Sequence, residues 1–269
     1  MNKLLLNICC AFIYKKKNRH HFREKYGREK IGKNNNFVVT NEIKKQIDER
    51  IDDVIANQKT EFEVLKLLLN NKSTSDLTCI AEKYLSDKGR VRNIQHYHTY
   101  TQIYEVLFME YKFTAKNVFE CGIGYLNSEQ CKAGGSLRLW REYFPNAQIY
   151  GADINKEVLF QEERIYTDWI DQTSPEAIKK YFDKIDKKFD VMVEDGWHVF
   201  KAQNCMFENG INYLSKDGIY VIEDVMPEDL LKHQKYFSTK SDEFDVRYMQ
   251  MNSLFRYYKD NNLIVIKRK

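Results

Sequence analysis

"FDVMVEDGWH", residues 189–198, is an apolar run that ends abruptly in two carboxylates, a glycine, a tryptophan and a histidine. A short run rich in aromatic and β-branched side chains reads as a buried strand, and the acids at its end mark where that strand leaves the core. The same form recurs along the chain. "NVFECGIG" (117–124) reads as a strand ending in glycines, "AQIYGADI" (147–154) as a second ending in acid, and "RIYTDWIDQ" (164–172) as a third. "FDVMVED" (189–195) is the fourth and "GIYVIEDV" (218–225) the fifth. The stretches "SLRLWREYF", "SPEAIKKYFDKI" and "VFKAQNCMFENGINYL" between them carry helical periodicity. Strands spaced by helices predict parallel βαβ units and an α/β, doubly wound, mostly parallel sheet. "DVRYMQMN" and "NLIVIKRK" enclose a turn-rich "KDNN", which predicts an antiparallel hairpin that brings the sheet to seven strands.

Outward from that sheet the chain divides into three parts: a basic, partly apolar arm (1–40), a helical extension (41–112) and the sheet domain (113–269). In the extension, Ile43, Ile47, Ile51, Val54, Ile55, Phe62, Leu65 and Leu69 recur at three- and four-residue steps, predicting one long amphipathic helix or two joined ones. So narrow a stripe on so polar a segment can pack on its own domain or on a second copy of itself, and self-association into a homo-oligomer is the favoured reading.

The chain of 269 residues is 43% hydrophobic, enough for a sizeable core. Its six cysteines fall in no metal-ligand spacing, and no secretory leader precedes them, so they read as reduced thiols of a cytoplasmic protein. The apolar stretch "LLLNICCAFIY" has about half of the ~20 residues a membrane-spanning helix needs. Residues 1–40 hold ten basic against two acidic side chains, and the remainder 33 basic against 37 acidic. The slightly acidic main domain argues against a nucleic-acid partner. Two readings of the arm stand: a solvated segment, or an interfacial helix in residues 1–33 touching an anionic membrane.

In an open α/β sheet, ligands bind beyond the carboxyl ends of the strands. Gly122 and Gly124 permit close backbone approach there. Asp153 is placed to accept from ribose hydroxyls, or alternatively to cap a helix over "NKEVLFQEE". Asp171 and Gln172 stand where an adenine would lie, or form a plain turn. Asp195, Glu223 and Asp224 supply hard oxygen ligands for Mg2+ or a similar cation, against the alternative of solvated loop carboxylates. His198, at a helix start, reads as a neutral general base or as an exposed first-turn side chain.

Taken together, "ECGIG…GGSLRLWREYFPNAQIYGADI", "DQTS", "VEDGWH" and "GIYVIEDV" resemble class I S-adenosylmethionine-dependent methyltransferases of the sugar O-methyltransferase type, similar to enzymes that methylate macrocin and mycinamicin. The resemblance covers residues 82 to 225, including "KYLSDKGRVRNIQHYHTYTQIYEVLF". It implies a Rossmann-like fold, S-adenosylmethionine held by Glu120, Gly122, Gly124, Ser136, Asp153, Ile154, Asp171 and Gln172, and Mg2+ or Mn2+ held by Asp195, Glu223 and Asp224. It also implies that His198 is the base, acting with Asp195. Two departures stand out: Trp197 replaces the serine of the family's "DDGSH", and the segment between Gly124 and Gly134 is long. That longer form, with the basic leader, resembles proteins of capsule and lipopolysaccharide loci. The expected acceptor is then a nucleotide-linked sugar, such as a heptose, for surface polysaccharide, with Arg90, Arg92 and Arg138 as candidate diphosphate contacts and His96 or His98 as alternative bases. A nicotinamide-dependent sugar dehydrogenase and a non-enzymatic membrane-proximal scaffold are the rival readings. The dehydrogenase lacks a glycine fingerprint opening directly into a helix. A related hydroxylase would need iron ligands, and this oxygen-rich set suits Mg2+ better.

Overall fold

The strands are β1 (Asn117–Cys121), β2 (Gln148–Asp153), β3 (Gln161–Glu162), β4 (Ile165–Trp169), β5 (Phe189–Glu194), β6 (Leu214–Ile222), β7 (Phe244–Gln250) and β8 (Asn262–Arg268). They form one sheet in the order β3-β4-β2-β1-β5-β6-β8-β7. The helices are α1 (Asp76–Tyr84), α2 (Tyr100–Leu107), α3 (Gly135–Tyr143), α4 (Pro175–Ile185), α5 (Phe200–Gly210) and α6 (Pro227–Ser238). The computed structural model describes residues 76–89, 98, 100–124, 133–250 and 260–269. The basic arm, the amphipathic helix of residues 41–72, His96, Arg90 and Arg92 lie outside the described residues. The chain forms two units by internal contacts, and Leu77–Thr101 with Phe108–Lys269 make the larger.

All seven expected strands are present, and β3 adds a two-residue antiparallel edge to β4. β4, β2, β1, β5 and β6 run parallel, while β8 is antiparallel to both β6 and β7. Alternation along the strands sends successive side chains to opposite faces. Phe119, Met192, Tyr220 and Ile264 pack in one cluster with Ile178 and Phe182 of α4, Met206 and Phe207 of α5, and Leu230 and Phe237 of α6. Glu120, one residue on from Phe119, instead accepts from the indole of Trp140 on α3 at 2.8 Å. Helices therefore cover both faces, as a parallel sheet requires.

Local sequence starts these helices. Ser174 Oγ accepts from Ala177 N at 3.2 Å with Pro175 in the first turn of α4. Pro227, Glu228 and Asp229 open α6, a helix the periodicity reading passed over. "NKEVLFQEE" forms no α-helix. It holds a single 3-10 turn, Lys156–Val158, and its cap is Asn155, whose side chain accepts from Glu157 N, so Asp153 is not a helix cap.

Candidate functional site

From β1 the chain crosses to β2 and β4 on one side, then returns to β5 on the other. The strand ends diverge at this reversal, which is where a doubly wound sheet opens a crevice. A cavity of about 450 Å³ lies there. Gly122, Gly124, Ser136, Asp153, Ile154, Asp171, Gln172, Asp195, His198 and Asp224 all line it. Glu120 and Glu223 are buried behind that lining.

The glycine turn is dictated by packing. Gly122 has φ 85, and a Cβ on it would fall 1.9 Å from the Asp195 carbonyl oxygen. No other residue fits between the end of β1 and the turn after β5. Asp153 braces the same turn from β2: Oδ2 accepts from Ile123 N at 2.9 Å and Oδ1 from Asn155 N at 2.8 Å. Asp171 Oδ1 accepts from Thr173 N at 2.9 Å and leads into α4. Gln172 ties this loop to β5, accepting from Trp197 N at 2.6 Å and donating to Glu194 Oε1 at 2.8 Å.

On the other side of the cavity, His198 Nε2 stands 3.4 Å from Asp195 Oδ1 and 3.4 Å from Asp224 Oδ2. Donor atoms of these three residues all lie within 4.8 Å of one another. Ligands around Mg2+ at ~2.0–2.1 Å stand at most ~4.2 Å apart, so the Asp195 and Asp224 oxygens need to contract by only about half an ångström to grip one ion beside His198. Asp224 holds a left-handed backbone, φ 54, uncommon for a side chain with a Cβ. Tyr100 supports it, its hydroxyl donating to Asp224 Oδ1. His98 stacks on Tyr100 at 4.8 Å and brings Nδ1 to 3.4 Å from Asp224 Oδ1.

Sequence reasoning missed Lys88. It is 1% exposed, and its Nζ lies 2.5 Å from Asp195 Oδ2, 2.6 Å from Glu223 Oε2 and 3.0 Å from Glu120 Oε1. The ends of β1, β5 and β6 thus aim carboxylates at one ammonium. Glu223 is held from behind the cavity by this cation, while Asp195 and Asp224 face the cavity with His198.

Electrostatics follow from this crowding. Burial opposes ionisation of Asp195, but the Lys88 charge and the His198 hydrogen bond win and hold it at about 2. Burial likewise opposes charge on His198, yet the Asp195 hydrogen bond and the Asp224, Asp195 and Glu194 charges lift it to about 10. The ring is therefore an imidazolium beside bare carboxylates, and the expected effect of a helix N-terminus is outweighed. A divalent cation among the same carboxylates would oppose that protonation. Glu194, fully buried, is pushed up to about 7 by desolvation.

Arg138, a candidate diphosphate contact, donates to Glu162 at 2.6 and 3.0 Å and to the Ala133 carbonyl at 2.8 Å, with its guanidinium over Phe160. No helix among the described residues is long and apolar enough to cross a membrane.

The strand order, the antiparallel β8 set between β6 and β7, and the cavity at the β1/β5 reversal define a Rossmann-like methyltransferase fold of class I. No protein-family model matches the chain. The chain is 31% identical over 156 residues, 58% of its length and 39% of the relative's, to the 8-demethyl-8-alpha-L-rhamnosyl tetracenomycin-C 2'-O-methyltransferase of Streptomyces olivaceus. It is 32% identical over 154 residues, 56% of its length and 36% of the relative's, to the mycinamicin VI 2''-O-methyltransferase of Micromonospora griseorubida. The solved MycE methyltransferase of mycinamycin biosynthesis, in complex with Mg, SAH and mycinamycin VI, shares the fold with a TM-score of 0.56 at 22% identity, over 82% of this chain and 62% of that one. The chain spans less than two fifths of the length of the curated relatives it matches.

Proposed function

We propose that the chain is an S-adenosylmethionine-dependent, metal-assisted O-methyltransferase acting on a sugar hydroxyl. One observation carries the reading: the glycine turn with Asp153 and the Asp195–His198–Asp224 cluster line the same cavity. The relatives are named as O-methyltransferases, two of them by acceptors that include rhamnosyl tetracenomycin-C and mycinamicin VI, and MycE was solved with Mg and SAH.

The glycine turn, Ser136, Ile154, Asp171 and Gln172 form the cosubstrate half, with Asp153 accepting from the ribose. Asp195 and Asp224 would hold the divalent ion, Mg2+ or Mn2+, from the cavity side, while Glu223 pairs with Lys88 behind them. Bound there, the ion supplies acidity to the acceptor hydroxyl, an otherwise weak nucleophile. His198 takes the hydroxyl proton, and the shared cavity orients the two reactants, turning a bimolecular encounter into an ordered one. A nucleotide-linked sugar as acceptor, a surface-polysaccharide setting, the membrane contact and the homo-oligomer rest on sequence features of the leader, the long segment after Gly124 and residues 41–72.

The test is incubation of purified protein with S-adenosylmethionine and sugar acceptors, read by mass spectrometry as a gain of one methyl group. Chelation is expected to abolish the gain, and Mg2+ or Mn2+ to restore it. Full turnover in excess chelator overturns the metal role, and a gain on no sugar overturns the reading as a whole.

A further inference from the structure

Trp197 is 62% exposed and lines the cavity between Asp195 and His198. Its backbone is held on both sides. The Trp197 N–H donates to Gln172 Oε1 at 2.6 Å, and its carbonyl accepts from Val199 N at 2.7 Å. Gly196 has no space to shift: a Cβ on it would meet Gln172 Oε1 at 1.7 Å. Gln172 is itself buried and anchored to Glu194. The indole therefore stands on a fixed pedestal beside the metal-binding cluster, and an exposed indole of this kind costs little order to use in binding, since only two side-chain torsions need settling.

Charge narrows what the indole can face. Asp87, Asp153, Asp171, Asp195 and Asp224 line the cavity, and no lysine or arginine does so among the described residues. Even with a divalent cation and a sulfonium in place, this lining stays net negative. A diphosphate entering it would meet these five carboxylates, with no lysine or arginine among the described lining residues to offset them. The C–H face of a pyranose, in contrast, is apolar and carries the slight positive charge that the face of an indole attracts.

We propose that Trp197 is the acceptor platform: it stacks on the C–H face of an uncharged sugar ring beside Asp195 and His198, and so selects neutral glycosides over sugars carrying a nucleoside diphosphate. This rests on the sugar O-methyltransferase reading and names the acceptor class of that same site.

The experiment compares the parent protein, Trp197→Phe and Trp197→Ser, each with S-adenosylmethionine and Mg2+, on methyl rhamnoside, methyl glucoside and UDP-glucose. The parent is expected to prefer a methyl glycoside to UDP-glucose. Trp197→Ser is expected to raise KM for that glycoside about tenfold, the scale of one lost aromatic stacking contact. Its kcat is expected to stay within about twofold of the parent, since a contact made equally in ground and transition states changes KM alone. Trp197→Phe is expected to keep most of the affinity, and SAH binding by calorimetry to be the same in all three. Unchanged KM in Trp197→Ser, with turnover present, overturns the platform and leaves the methyltransferase reading standing. A parent preference for UDP-glucose overturns the selection against diphosphates. Transfer to none of the three acceptors overturns both readings together.

Discussion

Lys88 Nζ lies 2.6 Å from Glu223 Oε2, and both side chains are 1% exposed. A cation this deep is stable only because Glu120 and Asp195 complete its shell. Removing one partner of a buried ion network leaves uncompensated charge, at about 3–5 kcal/mol. Lys88→Met is expected to lose that much stability in urea unfolding. The double variant Lys88→Met/Glu223→Gln is expected to regain more than about 1 kcal/mol of it, because one of the stranded carboxylates is gone. A single variant within about 1 kcal/mol of the parent would show that the network is not what holds these strand ends together.

In the proposed metal role, His198 is expected to couple ion binding to pH. Neighbouring carboxylates lift it to about 10 against the effect of burial, so near pH 8 the ring carries a proton. An ion on Asp195 and Asp224 favours the neutral ring, and linkage then requires Mg2+ affinity to rise with pH up to about 10, with close to one proton released per ion below that. Calorimetry in buffers of different ionisation heat measures the release. No release at pH 8 rules the coupling out. His198→Ala is also expected to slow methyl transfer roughly 10²- to 10⁴-fold with SAH binding unchanged.

Asp153 braces Ile123 N and Asn155 N, and in the proposed function it also accepts from the cosubstrate. Asp153→Ala is expected to weaken SAH binding by about 1–3 kcal/mol, read by calorimetry at a temperature where the variant is folded. Equal affinity would leave Asp153 with the bracing role alone.

His233 is fully buried, with Nε2 3.0 Å from Gln203 Oε1, and Gln203 Nε2 donates to the Glu223 carbonyl at 2.9 Å. Burial lowers its pKa to about 4. Between pH 6.5 and 4 the unfolded chain binds a proton here that the folded chain refuses, so this group's share of stability, about 3 kcal/mol, is present above pH 6.5 and lost as pH falls towards 4. His233→Gln keeps a hydrogen-bonding side chain without that proton. Its unfolding free energy is expected to fall less than the parent's between pH 7 and 4, and parallel curves would remove His233 from the acid response.

The strand ends could be read in the sequence because each apolar run stops where its polar residue begins, as at Asp153 and Asp195. Boundaries were harder. Ile170 continues the apolar pattern of the third strand, yet its N–H bonds the Asp153 carbonyl at 3.1 Å as the chain turns out of the sheet. β6 begins at Leu214, four residues before "GIYVIEDV", because a register shift between Phe189 and Val191 takes up the polar "SKD" that reads as a turn. Lys88 stood in the sequence only as part of the "KYLSDKGR" stretch that carries the resemblance, with no role attached to it. In "LSDKGR" it has the neighbours of a solvated turn, and its burial is decided by three carboxylates that come together only after β1, β5 and β6 are assembled. The charge on His198 was hidden for the same reason: Asp224 is 26 positions away in sequence and 3.4 Å away in space.

Gly122 and the Asp195 carbonyl are in such close apposition that one turn packs directly on the other. One turn borders the half of the cavity proposed for the cosubstrate and the other begins the half proposed for the ion. A molecule that stills the first turn has therefore already met the ordering cost of the second, and the two ligands are expected to cooperate through shared rigidity without any change of shape.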